Sequence, residues 1–116
     1  RLFTMSTYGQ IGRNIVVGPQ ISATDMPAIQ EAGCKTLIRS RPDGEEPGQP
    51  TAESIGDAAA AVGISFVSSP VVSGQAPSSD AVIEMQEALN TLPDPILCYC
   101  RSGNRAGQLW ELATQG

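Results

Sequence analysis

At 116 residues, 41% hydrophobic and 16% charged, the chain is sized for one globular domain, residues 1–116, with one modest core. A net charge of −5 disfavours nucleic acid and anionic membrane surfaces as general partners, and no apolar run is long enough to span a bilayer. Histidine is absent, which excludes Ser-His-Asp and Cys-His nucleophile pairs, His-ligated zinc and imidazole acid–base work, so neither a metal nor another cofactor is expected.

Residues 1–14 are polar and glycine-containing with no clear period, and an irregular N-terminal segment is expected there. Ile15-Val16-Val17 reads as a short strand closed by Gly18-Pro19. Ser22 is placed as a helix N-cap with Asp25 as its capping-box partner, Ile21 and Met26 as a hydrophobic staple, and Gly33 as the stop. Cys34 to Arg39 is a second strand, in which Cys34 is a core residue. Residues 41–50 hold three prolines, two glycines and three acids and must be a loop. For its acids, a solvated turn and a place over the active site are equally good readings, whereas for Arg41 function is favoured.

Thr51 caps a further helix with Ile55, Ala58, Ala59 and Val62 on one face and Gly63 at its end. Ile64 to Val67 alternates as a strand, and Ser69 to Ser79 is a Ser-, Pro- and Gly-rich loop. Asp80 opens a helix whose stripe of Val82, Met85, Leu89 and Leu92 is core, and Pro93-Asp94-Pro95 breaks it. Strands alternating with helices predict an α/β domain with a mainly parallel sheet of about four strands flanked by helices. Ligands bind such sheets at the carboxyl ends of the strands. Four of the seven basic residues, Arg39, Arg41, Arg101 and Arg105, follow predicted strands, which points to a small anion held there.

The chemistry concentrates in Pro95 to Gly107. An apolar strand runs into Cys100, a tight loop follows with Gly103 and two arginines, and a helix is read from Ala106, with Leu109, Trp110 and Ala113 facing the core. A strand–loop–helix turn aims successive N–H groups at one concavity, and the helix dipole adds partial positive charge. A thiol in that concavity is acidified. Cys100 is therefore read as a nucleophile and Arg105 as its catalytic partner. Arg101, Ser102, Gly103, Asn104 and Ala106, together with Arg41 and Asp43, are read as the anion- or substrate-binding set. Cys98 shares the face of Cys100 but lacks such a loop and is assigned to the core. Three cysteines without a secretory signal pattern argue against a disulfide framework and point to the cytoplasm.

The loop Cys100-Arg101-Ser102-Gly103-Asn104-Arg105 resembles that of rhodanese-type sulfurtransferases, in which cysteine and arginine frame four residues. It also resembles the cysteine phosphatases, whose loop usually frames five. Residues 40–50, with Ala32-Gly33-Cys34-Lys35-Thr36-Leu37-Ile38, resemble the bacterial beta-lactamase hydrolase-like phosphatase-like domain family. The likeness runs from about Val16 to Trp110. It implies the dual-specificity-phosphatase fold, and the family is also described as one of sulfur transferases, some fused to a persulfide dioxygenase, which is thereby an expected partner. The phosphatase fold often carries more helix than the stretch ending at Gly116, so a C-terminal truncation is expected.

Two enzymes and one non-enzyme fit. A sulfurtransferase would carry sulfane sulfur as a Cys100 persulfide, taking it from a small sulfur anion or thiol persulfide. A phosphatase would attack a phosphate ester through Cys100, with Arg105 gripping two phosphoryl oxygens. The third reading is an anion- or persulfide-sensing module. Ester cleavage benefits from a general acid, yet residues 71–77, where dual-specificity phosphatases place one, hold none, which leaves Asp43 as the candidate. Spacing and missing acid together favour the sulfurtransferase.

Overall fold

The computed structural model describes residues 9–12 and 14–115. A central sheet has the order β1-β2-β5-β3-β4, formed by β1 (Gly9–Gly12), β2 (Ile15–Gly18), β3 (Thr36–Arg39), β4 (Ser65–Ser68) and β5 (Ile96–Tyr99). The last four strands in this spatial order are mutually parallel, as the alternation of strand and helix predicts. Gly9–Gly12 departs from the irregular segment expected, because it pairs antiparallel with β2 and forms one edge of the sheet. Four short residues with two glycines carry too little hydrophobic pattern to be read as a strand, and the partner strand supplies the order. Residues 1–8 of the same expected segment lie outside the described residues.

Helices α1 (Met26–Glu31), α2 (Ala52–Ala61), α3 (Ser79–Thr91) and α4 (Asn104–Thr114) cover the sheet. The N–H of Ser22 donates to the Asp25 carboxylate at 2.8 Å, and Thr51 Oγ1 accepts from the N–H of Ser54, so both predicted caps form. Helix α3 starts at Ser79, one residue before the Asp80 start read from the sequence. Ser78 is the N-cap of α3, its hydroxyl accepting from the Ala81 N–H, and Asp80 sits in the first turn.

Strand alternation sorts the core into two layers. Leu97 and Tyr99 of β5, with Leu37 and Val16, pack against Met26, Ile29, Ile55 and Ala59. Ile96 and Cys98 of β5, with Ile38 and Cys100, pack against Met85, Ala88, Ala106 and Leu109. Cys34 and Cys98 are buried thiols, pushed up by desolvation to about 11 and about 12, and they fill core volume as expected.

The parallel strands end in register. Tyr99 pairs with Gly18 on one side and Arg39 on the other, and Arg39 pairs with Ser68. Four loops therefore emerge at one edge of the sheet, and Cys100 leaves the strand at its centre. No helix among the described residues is long and apolar enough to cross a membrane.

Candidate active site

The loop after β5 is shaped by the backbone of its neighbour. The Cys100 N–H donates to Gly18 O at 3.4 Å and the Gln20 N–H donates to Arg101 O at 3.1 Å, which tie the loop to the end of β2. Gly103 turns it into α4 with φ +101°, and a Cβ there would stand 3.4 Å from Gly18 O and 3.5 Å from Val17 Cγ2. The left-handed backbone calls for glycine, whereas the space around it would admit a Cβ in ordinary contact. The turn aims the Gly103 N–H at Cys100 Sγ, 3.1 Å away, a donor that a thiolate accepts better than a thiol. Helix α4 begins at Asn104, two residues before the predicted start, so its first turn faces the cysteine loop.

Cys100 is fully buried. Arg105, also buried, reaches across the strand ends. Its Nη1 donates to Glu45 Oε2 at 2.7 Å and to Val71 O at 2.8 Å, and its Nη2 donates to Glu45 Oε1 at 2.9 Å. This two-pronged pair with Glu45, and after it the neighbouring Cys100 sulfur, push the Arg105 pKa up. Glu45 is shared, because Arg41 Nε donates to its Oε1 at 2.8 Å. The hydrogen bonds from Arg105 and then Arg41 outweigh desolvation and hold the Glu45 carboxyl near 2. Glu46 bridges Arg41 Nη2 at 2.9 Å and Arg101 Nε at 2.7 Å, and Arg101 is 68% exposed.

Two sequence expectations change here. Arg105 was expected to present both prongs to an anion, but its terminal nitrogens are taken by Glu45 and Val71. Asp43, the candidate acid, is turned elsewhere: its Oδ1 pairs with Arg39 Nη2 at 2.6 Å and accepts from the Ala52 N–H at 2.9 Å, capping the start of α2. An aspartate just ahead of a helix gains more from backbone donors and a buried arginine than from an open cleft. Arg41 is buried in the same network, its Nη1 donating to Gln20 Oε1 at 3.1 Å, and it does not line the open cleft beside the cysteine loop.

Glu45 and Glu46 were not singled out. Both lie in an acidic loop, and the signal was the match of adjacent acids to arginines at other strand ends. An open cleft of about 870 Å³ adjoins the loop, lined by residues 73–77 on one side and by Arg101, Ser102, Asn104, Arg105, Gln108 and Glu111 on the other. Ser102, Asn104 and the arginines thus border space for a ligand, whereas Gly103 and Ala106 are buried and shape the turn. Among the described residues no cluster of His, Cys, Asp or Glu is placed to hold a metal ion.

The model of the beta-lactamase hydrolase-like protein, phosphatase-like domain family matches residues 8–116. The chain belongs to that family. A beta-lactamase hydrolase-like protein of Agrobacterium fabrum is 32% identical over 103 residues, 89% of this chain and 24% of the relative. The family's chain here thus spans about a quarter of that relative's length. Among solved structures, a candidate phosphatase from Neisseria meningitidis is 29% identical with a TM-score of 0.80, covering 92% of this chain and 75% of its own. The active form of Tk-PTP is similar in fold, with a TM-score of 0.74 at 16% identity over 97% of this chain and 77% of its own. The fold is that of the cysteine phosphatases, as the resemblance implied.

Proposed function

We propose that this family member is a cysteine-dependent phosphohydrolase that works through a Cys100 phosphocysteine. The observation that carries the reading is the Gly103 N–H on Cys100 Sγ at the mouth of α4, with Arg105 alongside, in a phosphatase-like family. The Cys100 thiolate attacks phosphorus, the bond from phosphorus to the leaving oxygen breaks, and its electron pair leaves with that oxygen. Backbone N–H groups of the loop and the cation of Arg105 offset the charge on the phosphoryl oxygens. Water then attacks phosphorus, the S–P bond breaks, and phosphate and thiolate are released, with the water's surplus proton passing to solvent. Because Cys100 is buried, its cover has to move first.

A second reading is sulfur transfer from a small sulfur anion or thiol persulfide. The four-residue spacing of Cys100 and Arg105 supports it, and a persulfide dioxygenase would then be the natural partner. Acid-quenching the protein during turnover of an aryl phosphate, and again after exposure to thiosulfate, separates the readings. Mass spectrometry of the Cys100 peptide should show a phosphoryl group in the first case. Gain of one sulfur atom in the second, with no phosphoryl group in the first, would decide for sulfur transfer. Absence of both adducts and of any turnover would leave a sensing module.

A further inference from the structure

We infer that the substrates of this chain carry a leaving oxygen stable as an anion, as in a phosphoanhydride, an acyl phosphate or an aryl phosphate, and that alkyl phosphates are poor substrates. The inference rests on the phosphohydrolase reading and names its substrate class. It follows from where the carboxylates of the strand-end loops are spent.

Breaking an alkyl phosphate requires a proton for the departing alkoxide, and a positioned acid supplies it. All twelve acids of the sequence fall among the described residues. Three stand in the loop that meets the cysteine loop, and each is held by arginine. Asp43 is bound by Arg39 and caps α2. Glu45 is bound by Arg105 and Arg41 and stays ionised down to about pH 2, so it holds no proton to give. Glu46 is clamped between Arg41 and Arg101.

Across the cleft, residues 73–77 are Ser, Gly, Gln, Ala and Pro, with no ionisable group. Glu111 also borders the cleft, but it lies seven positions after Asn104, about 10 Å along the helix axis at 1.5 Å per residue. From there it is out of hydrogen-bond reach of an oxygen on a group seated at the first turn of α4. Imidazole is absent from the chain. A leaving group that departs from this site therefore leaves as its anion, with the P–O electron pair and no proton. Its stability in water sets the rate.

The test is a leaving-group series on the whole chain: aryl phosphates of graded phenol acidity, acetyl phosphate, inorganic pyrophosphate and a simple alkyl phosphate, with Cys100→Ser as the control. kcat/KM should fall steeply as the leaving group becomes more basic. The alkyl phosphate should lie about 10²–10⁴-fold below an aryl phosphate, the range a positioned acid would have recovered. The slope should be the same in Asp43→Asn and in Glu111→Gln. A shallow slope with ready alkyl-phosphate turnover would overturn the inference while leaving the phosphohydrolase reading standing. Collapse of alkyl turnover in either variant would do the same and identify the acid. No Cys100-dependent turnover of any phosphate would instead overturn the phosphohydrolase reading, and the inference with it.

Discussion

Two loops meet at the centre of the sheet edge and are built by different physics. The cysteine loop, from Cys100 to Arg105, is held by backbone: its N–H and C=O groups tie it to Gly18 and Gln20, and Gly103 alone sets its turn. The acidic loop, residues 41–50, is held by charge, and Glu45 and Glu46 grip three arginines, two of them some sixty residues away. The first loop defines a site. The second decides how much of its positive charge is left for a ligand.

The largest effects should come from breaking the first loop. Cys100→Ser should keep the fold, since a hydroxyl can still accept from Gly103, and should cut turnover by roughly 10⁴-fold or more, as loss of a covalent nucleophile does. Thermal melting beside steady-state kinetics checks both halves. Arg105→Lys removes the fork that holds Glu45 and Val71 together, and should be far worse for kcat/KM than Arg101→Lys, whose side chain is 68% exposed. Equal losses would mean that exposure does not separate their roles.

Next comes the joint between the loops. Glu45→Gln removes the negative charge and one of the two oxygens that Arg105 grips, and should cost about 2 kcal/mol in urea unfolding, the scale for losing a charged hydrogen-bond partner. Glu46→Gln, at a carboxylate 45% exposed, should cost well under about 1 kcal/mol. Gly103→Ala should cost about 1–2 kcal/mol for the left-handed backbone, with phosphate binding falling alongside.

The smallest effect is one of pH. Glu45 ordinarily titrates near 4.5 and in the folded chain near 2, so unfolding takes up a proton between those values. Its stabilisation is complete above about pH 4.5 and is lost as pH falls toward 2. Stability measured across that window should fall in the wild type, and the fall should be shallower in Glu45→Gln.

The contrast also explains what the sequence could reveal. Local signals were legible: Thr51 caps as placed, Ser22 and its capping-box partner Asp25 pair as placed, Cys98 and Leu97 fall on opposite faces, and the cysteine loop leads into a helix as read. Each depends on neighbours within a few residues. The pairing of Glu45 with Arg105 depends on β3 and β5 ending in register, which no local pattern states. Asp43 is the candidate acid in the sequence because residues 71–77 hold none, yet its place between a strand end and a helix lets it reach both Arg39 and the Ala52 N–H. β1 was missed because its order comes from β2 and not from its own residues.

The central claim, that Cys100 takes the phosphoryl group, is tested most directly by rapid acid quench during turnover of an aryl phosphate, followed by mass spectrometry of the peptide that contains it. The account predicts a phosphoryl group on Cys100 that appears within one turnover, decays as substrate is exhausted, and is missing from Cys100→Ser. Steady turnover with Cys100 unmodified throughout, or turnover that survives Cys100→Ser, would contradict it.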